Sequence, residues 1–214
     1  MLLPATSSFH AAEAQQLRLG GGGGWAPATT TVTYSSVSGE QEVEADVSTS
    51  YGRHLYASAG FEQGISDNFD LGVRLRAQES RFQGDSSDLT SPCQVDCTLS
   101  NSLDGRVRAL TVEGRLILTS AGRINPYLLV GLGAVRTTMD AARVQLDGQQ
   151  DIPFSDIEVT DAGGDVGLGA TMQLVGGLHL DGEFRVTGSL PGGKENAVTV
   201  LPLSLGLGYN FGSL

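Results

Sequence analysis

The sequence offers few side chains of the kinds that acid–base or nucleophilic catalysis uses, since it has three histidines and two cysteines. Hydrolysis or transfer of a lipid acyl chain would need a serine or histidine arrangement. His10 lies in the first residues of the chain, and His179 lies beside a predicted turn. His54, near Tyr51 and Ser58, is the single candidate. We interpret His54 as an interfacial histidine without chemistry and predict no catalytic residue.

The two cysteines, Cys93 and Cys97, lie four positions apart in a polar stretch that has no histidine nearby. A zinc site would need two more ligands, and none is near enough to nominate, so no metal site is predicted. We expect a local disulfide that closes a loop, which would imply an oxidising compartment. Two free thiols remain the alternative.

The charge and composition exclude several classes of protein. Thirteen Lys and Arg residues against 24 Asp and Glu residues give a net charge of -11, which disfavours a nucleic-acid partner. Thirty glycines and 6% aromatic residues argue against a helical bundle. The longest purely apolar or glycine run, Tyr127–Val135, is too short for a membrane helix, which needs about 20 residues. A membrane β-barrel remains open.

The first fourteen residues end in Ala12-Glu13-Ala14, a small-residue pattern like the one at a signal cleavage site. A basic region and a long apolar region are missing. We therefore expect residues 1–14 to be the remnant of an export signal and residues 15–214 to form a single barrel domain. A polar N-terminal segment without that role is the alternative.

Hydrophobic periodicity predicts an all-β fold. Between Leu201 and Phe211 every odd position is apolar or aromatic, and every even position is small or polar. A period of two is typical of a β-strand with two different faces. The same alternation recurs often enough to predict eight antiparallel strands, around residues 17–25, 55–62, 71–78, 110–118, 127–135, 165–174, 178–186 and 201–211.

The connections between these strands alternate in length. Hairpin turns are predicted at residues 66–69, 120–125 and 175–177, and long connections at residues 29–52, 82–104, 139–160 and 188–197. Short turns at one end and long loops at the other are typical of an eight-stranded up-and-down transmembrane barrel. The glycine run Gly20–Gly24 is expected to let the first strand bend while it pairs with the eighth.

The polar face indicates which side of the barrel meets water. A solvated exterior usually mixes lysine with glutamate, yet Lys194 is the only lysine and lies in a loop. Small residues and arginines instead suit the narrow inside of an eight-stranded barrel, which leaves the apolar face toward lipid. A soluble ligand carrier is the alternative. The predicted lumen charge network contains Arg18, Glu62, Arg74, Arg76, Glu113, Arg115, Asp165, Asp181, Glu183 and Arg185.

The aromatic residues favour the membrane interpretation. Five of them fall at the short-turn end and two near the long-loop end, where rings would line a membrane interface. These are Phe61, Phe69, Tyr127, Tyr209 and Phe211 at the first end, and Trp25 and Phe82 at the second.

The long connections are acidic. The first carries Glu40, Glu42, Glu44 and Asp46 without a basic residue, and its flanks alternate enough to form a hairpin. Cation-mediated contact with lipopolysaccharide or with a surface partner is one interpretation of this charge. A solubilising acidic crown is the other.

Two motifs resemble a known family. The stretch from Asn125 to Ala134 resembles the "PY-x-x-x-G-x-G" strand of the small outer membrane β-barrels that include outer membrane proteins A and X of Gram-negative bacteria. Residues 204–211 resemble that family's last-strand signal. The resemblance implies a bacterial outer membrane location, contact with outer membrane lipid and lipopolysaccharide, and recognition by the barrel assembly machinery. The assembly signal would consist of Ser204, Gly206, Tyr209 and Phe211.

We therefore expect an integral outer membrane protein with a structural or surface-interaction role, without catalysis and without a cofactor. A narrow pore for small solutes and a lipid A-modifying enzyme are the alternatives. Because the fold itself is generic, function must lie in the loops and the lumen.

Overall fold

The computed structural model describes residues 16–35, 42–49, 51–83, 86–91, 97–99, 103–119, 123–141, 143–146, 152–190 and 198–212. Fifteen β-strands account for nearly all of them. In this part of the chain no helix is long and apolar enough to cross a membrane.

Eight strands close into a barrel, which confirms the predicted fold. Each strand pairs with two antiparallel neighbours, and β1 joins β15 while β12 joins β13 to complete the ring. The eight strands are β1 Gln16–Trp25, β4 Gly52–Ser66, β5 Phe69–Gln83, β8 Asp104–Leu118, β9 Ile124–Met139, β12 Ile157–Gln173, β13 Leu178–Ser189 and β15 Leu203–Phe211.

The side chains alternate between lumen and exterior, as the sequence predicts. On β5 Arg74 and Arg76 are buried in the lumen, whereas Leu71, Val73 and Leu75 point outward and are about half exposed. A soluble carrier would have the opposite arrangement, with its apolar residues inside. Along this part of β5 the barrel is therefore apolar outside and polar inside.

The outward apolar residues form a band of membrane dimensions. On β5 every outward side chain from Phe69 to Ala77 is apolar. At about 3.3 Å per residue and a strand tilt of about 40°, this stretch covers about 20 Å along the barrel axis. Membrane barrels have an apolar band roughly 25 Å tall, so the band is close to the expected height.

The seam between β1 and β15 depends on glycine. A Cβ atom at Gly22 would overlap the carbonyl oxygen of Leu205, and one at Gly24 would overlap that of Leu203. Because these clashes are with backbone, side-chain movement could not relieve them. The glycine run therefore lets the first and last strands approach closely.

The remaining seven strands lie at the long-connection end. Four of them, β14, β2, β3 and β6, continue the barrel sheet, and β2 pairs with β3 in the hairpin that the sequence predicts. The other three, β7, β10 and β11, form a separate small sheet that was not predicted. Their bounds are β2 Ala28–Ser35, β3 Glu42–Thr49, β6 Ser86–Ser91, β7 Cys97–Leu99, β10 Arg143–Leu146, β11 Ile152–Pro153 and β14 Val198–Val200.

Two prolines interrupt otherwise continuous strands. Trp25 pairs with Leu203 and Ala28 pairs with Val200, so the register is the same on both sides of the interruption. Pro27 and Pro202 lie between these pairs and have no amide hydrogen to donate. The last barrel strand consequently begins at Leu203, two residues later than predicted.

At the opposite end the connections are tight. Between β12 and β13, Gly176 and Gly177 have φ values of 63° and 84°. Side-chain-bearing residues rarely adopt this region, so glycine is required at this hairpin turn.

The lumen is apolar near the long-connection end. Phe82, Val107, Met139 and Phe154 are buried there and pack together. We call this group the upper apolar core. Its full membership is Ala28, Phe82, Leu103, Val107, Ala109, Val135, Met139, Phe154, Ile157, Val198 and Val200.

Two aromatic predictions are wrong. Phe82 and Tyr127 were expected at the membrane interface, but Phe82 belongs to the upper apolar core and Tyr127 is buried in the lumen. Both occupy inward positions of their strands, so strand parity outweighs the tendency of aromatic rings to lie at interfaces. Phe61, Tyr209 and Phe211 do point outward at the short-turn end.

Candidate functional site

All ten charged residues predicted for the lumen lie on inward positions of the barrel strands. They form two clusters stacked along the barrel axis, which we call the middle cluster and the lower cluster. The middle cluster consists of Arg74, Arg76, Glu113, Asp165, Glu183 and Arg185, and the lower cluster of Arg18, Glu62, Arg115 and Asp181.

Glu183 is the centre of the middle cluster. Its Oε2 accepts a hydrogen bond from Arg74 Nη2 at 2.5 Å, and its Oε1 accepts one from Arg185 Nη2 at 2.5 Å. Arg76 Nη1 lies 3.0 Å from the same Oε1. Glu113 accepts from Arg74 Nε at 2.5 Å and from Arg185 Nη1 at 2.8 Å. The arginines thus share two carboxylates in a continuous network.

Asp165 extends this cluster toward the upper apolar core. Its Oδ1 accepts hydrogen bonds from Gln78 Nε2 at 3.0 Å and from Thr187 Oγ1 at 2.5 Å. Arg185 Nη1 lies 3.5 Å from the same oxygen. Neutral side chains therefore supply part of the hydrogen bonding that a buried carboxylate needs.

The lower cluster has a similar design. Glu62 forms ion pairs with Arg18 and, at 3.0 Å, with Arg115 Nη1. Asp181 Oδ1 lies 3.7 Å from Arg115 Nη2 and accepts a hydrogen bond from Thr171 Oγ1 at 2.6 Å. His179, which is buried, places its Nε2 3.0 Å from Asp181 Oδ2.

Tyr127 connects the two clusters. Its hydroxyl donates to Glu183 Oε2 at 2.9 Å, and the guanidinium carbon of Arg115 lies 3.8 Å from its ring centroid. A Cβ atom at Gly169 would lie 2.5 Å from the tyrosine ring, so this glycine leaves room for it. Tyr56 makes a similar contact with Arg76, at 3.7 Å.

Each cluster is balanced in charge. The middle cluster has three arginines and three carboxylates, and the lower cluster has two of each. Burial of an unpaired charge is costly, whereas paired and hydrogen-bonded charges can be accommodated. This arrangement places paired, mutually neutralised groups across the barrel interior.

His54 lies within the lumen, which corrects the prediction of an interfacial histidine. Its side chain is 1% exposed, and its Nδ1 lies 2.9 Å from Ser80 Oγ. Its Nε2 lies 3.3 Å from Arg76 Nη2. The even-numbered positions of β4 point inward, and His54 belongs to that series.

A polar cavity of about 290 Å³ lies below the lower cluster. Arg18, Glu62, Asn125, Thr171 and Gln173 are among its lining residues. It is a vestibule open toward the short-turn end of the barrel, and the lower cluster forms its inner wall.

The model of the outer membrane protein beta-barrel domain family matches residues 1–211. The chain belongs to this family. The barrel is therefore an outer membrane protein of Gram-negative bacteria, with its apolar exterior in contact with lipid. In such barrels the short turns face the periplasm and the long loops face the cell exterior.

Several solved structures are similar to this chain. Outer membrane protein OprG from Pseudomonas aeruginosa has 17% identity and a TM-score of 0.52, over 94% of this chain and 97% of that chain. Neisserial surface protein A has 19% identity and a TM-score of 0.48, over 94% and 99%. The outer membrane protease OmpT from Escherichia coli has 9% identity and a TM-score of 0.49, over 94% and 98%. At these identities the similarity concerns the fold alone. A search of curated proteins found no match.

The last strand of this outer membrane barrel contains the predicted assembly signal. Ser204 is buried and points into the lumen, whereas Tyr209 and Phe211 point outward with ring centroids 4.9 Å apart. Gly206 leaves room for Tyr56, whose hydroxyl a Cβ atom there would overlap. Recognition of these residues by the assembly machinery stays a prediction.

The disulfide between Cys93 and Cys97 stays a prediction. Cys97 begins β7 and pairs with Leu146 of β10, at the extracellular end of the barrel. Cys93 lies outside the described residues. Among the residues that the structure places, no group of three or more His, Cys, Asp or Glu side chains could hold a metal ion.

Sequence reasoning missed several neutral or aromatic members of the lumen. Tyr56, Tyr127, His179 and Thr171 make direct contacts with the charged network. Strand parity was the available signal, since each occupies an inward position. The predicted network contains charged residues only, so it omits the neutral and aromatic side chains that contact those charges.

Proposed function

We propose that this barrel is a non-catalytic outer membrane protein with a closed lumen, whose role is structural or lies at the cell surface. The balanced charge clusters that fill the lumen are the observation that supports the proposal. If the lumen is closed, the function of the barrel depends on its exterior and its extracellular loops.

Two barriers in series support a closed lumen. An ion crossing the barrel would have to displace paired arginines and carboxylates that are nearly inaccessible, such as Glu113 and Arg185. Nearer the extracellular end it would then meet the upper apolar core, where Val107, Met139 and Val198 are almost completely buried. Desolvation opposes passage at the second barrier.

The acidic extracellular side supports a surface role. Glu42, Glu44 and Asp46 lie on β3, in the hairpin that extends the barrel sheet beyond the membrane. Glu40, also expected in this group, lies outside the described residues. Such a hairpin is a suitable site for contact with a surface partner.

Conductance in planar bilayers tests the closed lumen. The wild-type barrel should pass little current. Arg115→Ala removes a side chain that joins the lower cluster to Tyr127 but leaves the upper apolar core in place, so the current should rise clearly only when it is combined with Met139→Ala in that core. Arg136→Ala, on the barrel exterior, is the matched control and should leave the current unchanged. Large, steady single-channel currents from the wild type would overturn the proposal.

The narrow-pore alternative rests on the periplasmic vestibule. A polar cavity of about 290 Å³ could be the entrance of a pathway that the two barriers interrupt. If the wild type conducts steadily, the pore interpretation replaces the closed-lumen proposal.

The enzyme alternative rests on His54 and Ser80, an imidazole and a hydroxyl within hydrogen-bond distance of each other in the lumen. Both side chains are almost completely buried, which leaves no access for a lipid acyl chain. Cells that express the protein should therefore have lipid A of unchanged mass. A new acylation state that disappears in the Ser80→Ala variant would establish catalysis.

A further inference from the structure

The periplasmic vestibule is a polar pocket whose inner wall is held in place by the lower cluster. Arg18 and Glu62 of that cluster line the pocket, and Arg115 pairs with the same glutamate. The two arginine side chains are only 9% and 3% exposed. Thr171 Oγ1 lies 3.4 Å from an Nη2 nitrogen of each arginine. Ion pairs and hydrogen bonds therefore fix the shape of this wall before any ligand enters.

Carboxamide side chains are concentrated in the pocket. The eight barrel strands contain seven asparagine and glutamine residues, and five of these line the pocket. Each of the five comes from a different strand, so they are distributed around the space. They are Gln16 on β1, Gln63 on β4, Asn125 on β9, Gln173 on β12 and Asn210 on β15. A carboxamide both donates and accepts hydrogen bonds, so the wall offers both kinds of partner to a ligand.

Two side chains of the pocket can accept further hydrogen bonds. Arg18 and Arg115 both contact Glu62 through Oε1, so Oε2 takes part in neither ion pair. Asn210 donates from Nδ2 to Gln16 Oε1 at 3.5 Å. Its Oδ1 is buried and has no hydrogen-bond donor among the described residues. A buried acceptor without a donor is unfavourable, so rotation of the Asn210 side chain toward a ligand hydroxyl would be favoured.

The charge of the pocket favours a neutral ligand. Arg18 and Glu62 pair with each other, and Asp70 adds one negative charge to the wall. This carboxylate would repel an anionic ligand. A small cation would use the carboxylates but leave the carboxamide N–H groups without an acceptor. Hydroxyl groups serve both, since each one donates and accepts.

We propose that the periplasmic vestibule binds a neutral sugar. Hydroxyl groups of the sugar donate to Glu62 Oε2 and Asn210 Oδ1 and accept from the amides of Gln63 and Gln173. Pockets for drug-sized ligands have volumes of about 300 to 1,000 Å³, and this pocket of about 290 Å³ is at the lower limit, which suits a ligand of one or two rings. The source is either a free periplasmic sugar or the end of a glycan chain, since the vestibule opens toward the periplasm.

Two-dimensional NMR of the isotope-labelled barrel tests the proposal. A zwitterionic detergent is used, because maltoside and glucoside detergents would themselves supply sugar headgroups. The barrel is titrated with glucose and with N-acetylglucosamine. We expect saturable shifts of backbone amides around the vestibule, with a millimolar Kd, since hydrogen bonds exchanged with water give modest net affinity. Stronger binding of glucose assigns the source to free sugars, and stronger binding of N-acetylglucosamine assigns it to acetamido glycans. Both outcomes support the site.

Two charged ligands test the selection of a neutral one. Glucuronate keeps the pyranose ring of glucose and adds a carboxylate, which Asp70 should repel. Its binding should be about two- to fivefold weaker than that of glucose, as for a partly exposed pair of charges. Putrescine carries two ammonium groups and no hydroxyl, and it should give no saturable shifts at the vestibule.

A double variant removes carboxamides of the pocket without touching the lower cluster. Gln63→Leu/Gln173→Leu should weaken sugar binding about tenfold, because two hydrogen-bonding side chains are lost. Gln83→Leu is the matched control, since it makes the same change on a barrel strand at the extracellular end. Its binding should stay within about twofold of the wild type. Mobility of unboiled samples on detergent gels establishes folding, and Gln173→Leu alone replaces the double variant if that variant does not fold.

Absence of saturable shifts with both neutral sugars would overturn the proposal. Saturable shifts with putrescine alone, unchanged binding in the folded glutamine variants, or equal loss in Gln83→Leu would do the same. The site requires the lower cluster as its inner wall but does not require the upper apolar core to block the lumen. Steady wild-type currents would therefore overturn the closed lumen and leave this site in place, and failure of sugar binding leaves the conductance test unaffected.

Discussion

Glu183 forms ion pairs with three arginines in the lumen, so its charge should be important for stability. Glu183→Gln keeps the shape of the side chain but leaves those arginines short of one negative charge. We expect a loss of about 3 to 5 kcal/mol in the free energy of unfolding, measured by urea titration in detergent.

Glu158→Gln is the matched control for this prediction. Glu158 pairs with Arg136 at 2.6 Å, but both side chains are about half exposed. Loss of such a pair should cost at most about 1 kcal/mol. Equal effects of the two substitutions would show that the lumen network contributes no more than a surface ion pair.

Tyr127 should stabilise the barrel through its hydroxyl as well as its ring. Tyr127→Phe removes the donor to Glu183 and leaves the ring against Arg115. A hydrogen bond to a charged group contributes about 1.5 to 3 kcal/mol, so the free energy of unfolding should fall by that amount. Tyr209→Phe, on the exterior, should change it little. An unaltered urea midpoint for Tyr127→Phe would refute the bridging role.

At the scale of residues, the sequence predicts which face a side chain occupies better than what it contacts. Parity placed Arg74 and Glu113 correctly in the lumen. Parity also places Tyr127 and Phe82 at inward positions. Their assignment to the membrane interface followed a general preference of aromatic rings for interfaces, and it was wrong. The ion-pair partners depend on how side chains reach across the lumen from non-adjacent strands, as in Arg74 with Glu183, and alternation carries no such information.

At the scale of elements, closure of the barrel depends on the seam between β1 and β15. Gly22→Ala places a methyl group against the carbonyl of Leu205, so the strands must separate. We expect a loss of about 1 to 3 kcal/mol in the free energy of unfolding, as for other overpacked sites.

Gly20→Ala tests whether the loss of stability comes from the close approach at Gly22 or from replacing any glycine of this strand. It lies on the same strand and face, but a Cβ atom there would meet no heavy atom closer than 3.5 Å. This variant should unfold at nearly the wild-type urea concentration. If both variants lose stability equally, the effect would come from glycine's backbone freedom and not from the close approach.

The second extracellular connection should be closed by a disulfide between Cys93 and Cys97. The two residues are four positions apart, and Cys97 lies at the extracellular end, where the compartment is oxidising. Mass spectrometry after alkylation without reduction should find neither thiol modified. Alkylation of both would exclude the disulfide.

The eight barrel strands were predictable because one face of each meets lipid and the other the lumen, which enforces a period of two. The small sheet of β7, β10 and β11 was not predictable, since its strands have two to four residues, too few to establish a period. The strand interruptions at Pro27 and Pro202 could have been predicted, because proline has no amide hydrogen to donate to a neighbouring strand.

At the scale of the whole molecule, a closed ring leaves no sheet edge from which unfolding could begin. Because of this, unboiled samples should migrate differently from boiled ones on detergent gels. Because the outward side chains are apolar, the barrel should be recovered only with membranes or detergent. Recovery of a monomer from water without detergent would contradict the membrane assignment.

The upper apolar core should make the extracellular end of this membrane protein sensitive to cold. Its side chains lie at the extracellular end, so opening that end would expose Phe82 and Val107 to water and not to lipid. The stabilisation gained by burying apolar side chains away from water weakens on cooling. The free-energy cost of desolvating ion pairs falls on warming. The core and the charge clusters beneath it are thus both favoured by warmth. The extracellular end should loosen in the cold, while moderate heating leaves the barrel intact.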